Sequence, residues 1–245
     1  MADTATTASS IFNAQPRIER VTLADGGFCL VIDDALLEPE RVRDFAVARA
    51  HEFRNVDFNA YPGTYLMAPT HINAALHAFF VQHLRRHFDA RRVVSMHCRY
   101  SMVTLRPEQL RPYQWFCHRD NMNAPPEQSN QASVLYLFDD AGLGGTSFYE
   151  PTMSPMDFAA FNRDASTLSA DAFASKHDLV PGYLCESNRY FTKTGSIPAR
   201  WNRLIFYDGS ILHSGDILAP ERLSTDPTRG RLTLNGFFTS RRNAS

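Results

Sequence analysis

Ser133-Val134-Leu135-Tyr136-Leu137-Phe138-Asp139-Asp140, followed by Gly144-Gly145 and Thr146-Ser147-Phe148-Tyr149, is the stretch that sets the fold class. An unbroken run of Val, Leu, Tyr and Phe closed by acidic and glycine residues reads as a buried strand, a turn and a second strand. The same grammar recurs on both sides. Upstream, Val93 to Met96, Arg99 to Leu105 and Trp115 to His118 are short strand candidates. Downstream, Arg203-Leu204-Ile205-Phe206-Tyr207 is closed by Asp208-Gly209 and followed by Ile211-Leu212-His213. A Pro-bearing loop from Leu218 to Gly230 then leads to a last strand, Arg231 to Phe238, with Arg241 and Arg242 as an exposed tail.

Ahead of this strand-rich half the pattern differs. Ile18 to Asp33 reads as strands around an Asp25-Gly26-Gly27 turn, with Phe28 to Ile32 as a buried run. Glu38-Pro39-Glu40 opens a helix to about Ala50, with Val42, Phe45, Ala46 and Arg49 at helical spacing. Tyr61-Pro62-Gly63 marks a loop, and a second helix runs from Thr70, its N-cap, to about Phe88. Ile72, Leu76, Phe79, Phe80, Leu84 and Phe88 form its apolar stripe. Residues 152–198 interrupt the strands, with a helix around Met156 to Phe161 started by Ser154-Pro155. Two helices followed by many short strands imply a mainly β protein with flanking helices (α+β). The expected architecture is a double-stranded β-helix, a cupin-like jelly roll with N-terminal supporting helices. A loose tail, 1–15, would precede one domain over 16–245, with helical support about 38–90, a jelly-roll core about 93–240 and an insertion or lid about 152–198.

Composition narrows the functional classes. A formal net charge of −1 over 245 residues, without a basic block, gives no reason to expect nucleic acid or an anionic membrane as partner. No apolar run reaches the roughly 18 residues of a membrane-spanning helix, and Met1 to Ser10 lacks the basic and apolar regions of a secretory signal. Cys29, Cys98, Cys117 and Cys185 are scattered, without a CxxC pair, as in a reduced cytoplasmic protein.

The chemistry centres on Trp115-Phe116-Cys117-His118-Arg119-Asp120. His118 and Asp120 are two positions apart, so in extended chain both point to one side and can grip a single metal ion. Cys117 points the other way and is the weaker candidate. A third ligand is sought in His213, 95 residues after His118. Two His and one carboxylate on one face of a metal, with the opposite face open, is the arrangement of non-haem Fe(II) oxygenases. His213 can also be read as a buried, hydrogen-bonded strand residue. His83 and His87 are at i and i+4, half of a zinc site, but the catalytic Glu of a metalloprotease helix is missing and a solvated face is the better reading.

In the order of its motifs the chain resembles the Fe(II)- and 2-oxoglutarate-dependent oxygenases, in particular their prolyl-hydroxylase-like branch. The matching pieces are His118-Arg119-Asp120, Val134 to Asp140 with Gly144 to Phe148, Asn202 to Tyr207 leading to Leu212-His213, and Gly230-Arg231-Leu232-Thr233, about half the chain. The resemblance implies that His118, Asp120 and His213 hold Fe(II), leaving sites for 2-oxoglutarate and O2. It implies that Arg231 pairs with the distal carboxylate of 2-oxoglutarate, a two-pronged match of guanidinium to carboxylate, and that the Tyr136 phenol helps bind it, although Tyr136 also reads as core. Arg231 lies farther past His213 than the family usually places this residue, and Arg222 sits at the shorter distance. Arg231 is preferred because it opens an apolar strand, whereas Arg222 lies in a loop with Pro220 and Pro227.

The implied reaction is oxidation of a second substrate, a small molecule or an amino-acid side chain, with release of succinate and CO2. Retention of Asp120 disfavours halogenation, which uses the site left by a missing carboxylate. Tyr183, Arg189, Tyr190 and Phe191 of the insertion are candidates to cover the site, unless that segment is a surface elaboration or an interface. Two other classes stand beside this reading: a non-oxidative cupin-type metalloenzyme (isomerase or hydrolase), which needs no 2-oxoglutarate clamp, and a catalytically silent jelly-roll binding module.

Overall fold

Side chains on the central strands alternate between two environments. Leu204 and Phe206 pack into one apolar cluster, Ile205 and Tyr207 into another. The computed structural model describes residues 11–55, 61–120 and 125–243. The elements follow in the order β1 (Ile18–Thr22), β2 (Phe28–Ile32), α1 (Pro39–Ala48), β3 (Arg54–Asn55), β4 (Gly63–Met67), α2 (Thr70–Phe79) and β5 (Arg92–Val103). Then come β6 (Gln128–Tyr136), β7 (Thr146–Pro151), α3 (Pro155–Thr167), α4 (Ala170–His177), β8 (Phe191–Ile197), β9 (Leu204–Asp208), β10 (Leu212–Gly215) and β11 (Arg231–Arg241).

Eight strands form a major antiparallel sheet in the order β1-β2-β9-β6-β11-β5-β4-β3, and three form a minor sheet, β10-β7-β8. The two sheets face each other in a jelly-roll architecture with helices on its outer faces, the mainly β class expected. Because side chains alternate along a strand, each central strand of the major sheet feeds two cores. Leu30, Tyr100, Leu135, Phe206 and Leu234 pack against Val42 of α1 and Leu76 and Phe79 of α2. Val31, Ala132, Tyr136, Ile205 and Tyr207 meet Phe148 and Ile197 of the minor sheet. A third cluster joins the minor sheet to α3 and α4 through Tyr149, Phe161, Phe173, Phe191 and Leu212.

Several sequence expectations need correction. Residues 1–10 lie outside the described residues, but Ile11 to Gln15 are not loose, because Phe12 is buried and bridges Leu36. The second helix keeps α geometry only to Phe79 and continues as a π turn, Phe80–Leu84, and a 3-10 turn, Arg85–His87; Pro69, not Thr70, is at its N-cap position. The two candidates Val93 to Met96 and Arg99 to Leu105 are one long strand, β5. Trp115 to His118 is not a strand, since only His118 makes a bridge. Segment 152–198 holds two helices and ends in β8, which pairs with β7 over its whole length, so its last part is sheet. Arg241 closes β11 opposite Arg92 rather than trailing free. No helix among the described residues is long and apolar enough to cross a membrane.

The turn between β6 and β7 fixes how closely the sheets approach. Gly144 has φ +69°, and a Cβ there would lie 1.4 Å from the Asp216 carbonyl oxygen. A Cβ on Gly145 would lie 1.9 Å from the Ile197 carbonyl oxygen. Both obstacles are backbone and cannot swing away. Gly144→Ala is therefore expected to cost about 2 kcal/mol or more, lowering the melting temperature by roughly 4–8 °C in a chain of this size. A variant that melts with the parent would contradict this account of the turn.

Candidate metal centre

The segment carrying His118 is held from outside the barrel. A 3-10 turn, Pro112–Gln114, leads into it, with the Gln114 side chain accepting from the Arg111 N–H at 2.8 Å. Trp115 packs edge-on to Phe173 (5.6 Å), and Phe116 stacks on Phe191 (5.7 Å). Helix α4 and the start of β8 thus pin the ligand-bearing segment. Cys117 is buried in the same apolar cluster, on the far side from the site, and burial pushes its thiol well up.

From there the chain meets β10 as a single bridge. The His118 N–H donates to the His213 carbonyl and the His213 N–H to the His118 carbonyl, both at 2.9 Å. This reciprocal pairing sets the two imidazoles side by side, ring centroids 4.5 Å apart. Two residues on, the Asp120 N–H donates to the Gly209 carbonyl at 2.8 Å, bringing the carboxylate to the same side. His118 Nε2 lies 3.8 Å from Asp120 Oδ1, and His213 Nε2 lies 3.6 Å from Asp120 Oδ2. Ligand atoms of all three residues lie within 4.8 Å of one another, and no other such group of three is found among the described residues. His83 and His87, on the turns after α2, take no part in one.

The hydrogen bonds of the donors suit ligation. His213 Nδ1 is 2.9 Å from the Ile211 carbonyl; a carbonyl only accepts, so Nδ1 carries a proton there, and Nε2 is the nitrogen turned toward Asp120. His118 opens one ring edge to the cavity, yet its pKa is pushed down to about 4, by desolvation first and by His213 second, against the pull of Asp120. Asp120 Oδ2 is buried and has no hydrogen-bond partner among the described residues. A buried carboxylate oxygen without a hydrogen-bond partner, beside the Nε2 atoms of two imidazoles, is a donor set suited to a divalent cation.

A cavity of ≈290 Å³ extends from this cluster between the sheets, with Phe116, Tyr207 and Ile217 among its apolar walls. Arg231 lines it and is buried. Its Nε donates to the carbonyls of Leu143 (2.9 Å) and Gly144 (3.2 Å), and its Nη2 to that of Gly145 (2.7 Å). No carboxylate among the described residues pairs with it, so a positive charge sits in the cavity with only neutral dipoles around it. Arg222 is elsewhere: it is half exposed, pairs with Asp140 at 2.5 Å and does not line the cavity.

Tyr136 stands behind the wall rather than on it. Its phenol is 2.8 Å from Thr146 Oγ1, and Thr146 is the residue that reaches the cavity. Tyr136→Phe is accordingly expected to cost about 1 kcal/mol of stability and to change the affinity of a ligand held at Arg231 less than threefold; chemical denaturation and calorimetry read the two effects separately. Of the four insertion residues proposed as cover, only Tyr183 lines the cavity, its hydroxyl donating to the Leu105 carbonyl at 2.5 Å. Phe191 is core, and Arg189 reaches back to α4. Arg99, Asn235, Tyr61 and Tyr207 line the cavity but escape a reading of the sequence alone. The signal available for Asn235 was its even spacing from Arg231 along one strand.

A family model described as "Family of unknown function (DUF6445)" matches residues 14–238. No curated protein matches the chain. Among solved structures, HygX from Streptomyces hygroscopicus, with nickel and 2-oxoglutarate bound, is similar at a TM-score of 0.49 and 9% identity, over 89% of this chain and 84% of that one. A Pseudomonas putida prolyl-4-hydroxylase gives 0.42 and 14%, over 94% and 95%. The non-heme alpha ketoglutarate dependent epimerase SnoN from nogalamycin biosynthesis gives 0.44 and 12%, over 88% and 80%.

Proposed function

The chain belongs to this family of unknown function, DUF6445, and we propose that it is an Fe(II)- and 2-oxoglutarate-dependent dioxygenase. The second substrate in this reading is a small molecule or an amino-acid side chain, and the product is most simply its hydroxylated form. One observation carries the proposal: the His118, Asp120 and His213 cluster, with its unsatisfied Oδ2, shares a single cavity with a buried Arg231 that has no anionic partner among the described residues. A metal isomerase or hydrolase needs no 2-oxoglutarate clamp, and a buried cation facing the metal cluster across one cavity is suited to be one.

His118, Asp120 and His213 would hold the metal on one face, the two imidazoles as neutral donors and Asp120 as the single anion. Bound there with 2-oxoglutarate and O2, Fe(II) supplies the oxidative chemistry that releases succinate and CO2 and oxidises the second substrate. Arg231 anchors the distal carboxylate. Its guanidinium packs over Gly215, where a Cβ would lie 3.7 Å from Nη2. Gly215 is two residues from His213 along β10, roughly 7 Å, a distance a five-carbon dicarboxylate bridges. Three hydrogen bonds to carbonyls of the 143–145 turn fix the orientation of Arg231, so little side-chain entropy is lost when an anion binds. Phe116, Tyr207 and Ile217 keep bulk water from the space between.

Calorimetry tests the pairing of metal and co-substrate without turnover. With Mn(II) in place of iron, 2-oxoglutarate is expected to bind at least about tenfold more tightly than glutarate, which has both carboxylates but lacks the 2-oxo group that chelates. Equal binding of the two acids, or 2-oxoglutarate binding indifferent to metal, would sink the proposal.

A further inference from the structure

The cavity holds a second cationic pole that Arg231 and the metal cluster leave unexplained. Arg99 on β5 and Asn235 on β11 are direct partners in the strand register, both on the cavity side of the major sheet. The Arg99 guanidinium lies between two rings, 4.6 Å from the centroid of Phe237 and 5.0 Å from that of Tyr65, so its position is fixed by packing. It forms no ion pair or hydrogen bond with any described residue, and its Nε is buried without a partner. Across the strand pair, Asn235 Oδ1 is likewise buried and unsatisfied. Buried polar groups are satisfied in the great majority of cases. Here a donor on a cation and a neutral acceptor stand unsatisfied on side chains whose Cβ atoms lie only about 5 Å apart.

A ligand that completes both must present an anion to Arg99 and a hydrogen-bond donor beside it to Asn235. A carboxylate meets the planar fork of a guanidinium side-on, and an N–H next to that carboxylate meets the amide oxygen. The group cannot be the far end of a 2-oxoglutarate anchored at Arg231. Arg231 and Asn235 are four residues apart on one strand, roughly 13 Å, beyond the span of a five-carbon diacid. The cavity is also small, ≈290 Å³ in all, so the second molecule is small or enters by its tip.

Resting on the function proposed above, we infer that Arg99 and Asn235 bind the head group of the oxidised substrate, and that this head group is an α-amino acid, free or N-substituted, held by its carboxylate and neighbouring N–H. Arg99 then fixes which end of the substrate points away from the metal, and the side chain of the amino acid is the part presented to it.

The test is direct binding to the Mn(II)- and 2-oxoglutarate-loaded protein, by calorimetry and thermal shift. The probes are the twenty common L-amino acids, their N-acetyl derivatives, the matching carboxamides and the matching deaminated acids. At least one carboxylate is expected to bind, with its carboxamide and its deaminated analogue each about tenfold weaker or worse. Arg99→Gln should weaken that probe by about ten- to a hundredfold and Arg99→Lys by less, with Mn(II) and 2-oxoglutarate affinities within twofold of the parent. Three results would overturn the inference. They are no binding by any probe while 2-oxoglutarate still binds, carboxamides that bind as well as acids, or an Arg99→Gln variant that loses metal or 2-oxoglutarate instead of the probe. The last would make Arg99 a counter-charge to Asp120. Amino-acid binding that depends on Arg99 in a protein that ignores 2-oxoglutarate would support this site and remove the oxygenase reading, so the two fail separately.

Discussion

Asp120→Ala is expected to abolish metal binding while leaving the metal-free protein as stable as its parent. The carboxylate contributes little to the fold: Oδ2 is buried without a hydrogen-bond partner, and the contact that positions the residue is its own N–H to the Gly209 carbonyl, which alanine retains. A buried, unsatisfied charge costs free energy, so its removal should leave the metal-free melting temperature unchanged or slightly raised. Metal binding to the parent at about a hundred times its dissociation constant adds roughly 2.7 kcal/mol, a rise of roughly 5–10 °C in a chain this long. That rise should vanish in the variant. Turnover should fall by more than about a hundredfold, since losing even an outer-shell partner of a metal ligand costs 10–100-fold. His213→Ala is a poorer choice, because His213 is buried, stands in the minor sheet and donates to Ile211 as well. An Asp120→Ala protein that still melts higher with metal would place the ion elsewhere.

The second large effect separates two arginines. Arg231→Gln should weaken 2-oxoglutarate binding by roughly thirtyfold or more, the cost of truncating one side of a buried, hydrogen-bonded charge pair. It should also lower stability, because the carbonyls of Leu143, Gly144 and Gly145 lose the donors that close the turn. Arg231→Lys keeps the charge and loses the fork, and should fall between parent and Gln in affinity. Arg222→Ala breaks a half-exposed ion pair with Asp140, worth about 1 kcal/mol or less, and should leave 2-oxoglutarate affinity unchanged. Equilibrium titrations of the four proteins decide the matter, and loss of 2-oxoglutarate from Arg222→Ala alone would reassign the clamp.

Much of the architecture could be read from the chain because a barrel built of two-faced strands writes itself in apolar runs. Leu204 to Tyr207 and Leu135 to Leu137 are buried on both sides and read as strands without ambiguity. β8 was illegible for the opposite reason. It is an edge strand paired only with β7, and in Phe191-Thr192-Lys193-Thr194-Gly195-Ser196-Ile197 the polar residues break any apolar run. β4 hid behind Pro62 because it is short and its first residue, Gly63, belongs to the Tyr61-Pro62-Gly63 loop signal. β5 read as two strands because His97 and Arg99 interrupt its apolar pattern.

The site was legible to the same degree. The spacing of His118 and Asp120 is a local property of extended chain, so the sequence alone places them on one side. Nothing local could say that His213 meets His118 in a single reciprocal bridge, or that helices from the insertion hold Trp115 and Phe116 in place. The resemblance places the Tyr136 phenol at the co-substrate, with a core position as the other reading; its hydroxyl stops at Thr146 on the facing sheet. Arg99 and Asn235 look like solvent-facing residues on their own strands. Only the cross-strand register, Asn235 opposite Arg99, shows them as neighbours.

Anaerobic titration of the metal-free protein with Fe(II) and then 2-oxoglutarate separates an oxygenase site from any other metal centre, because iron chelated by a 2-oxo acid absorbs in the visible as charge moves from metal to ligand. A saturable band that is absent with glutarate and absent in Asp120→Ala is the predicted result. Iron bound without any such band would contradict the claim and leave a metal centre of a different chemistry.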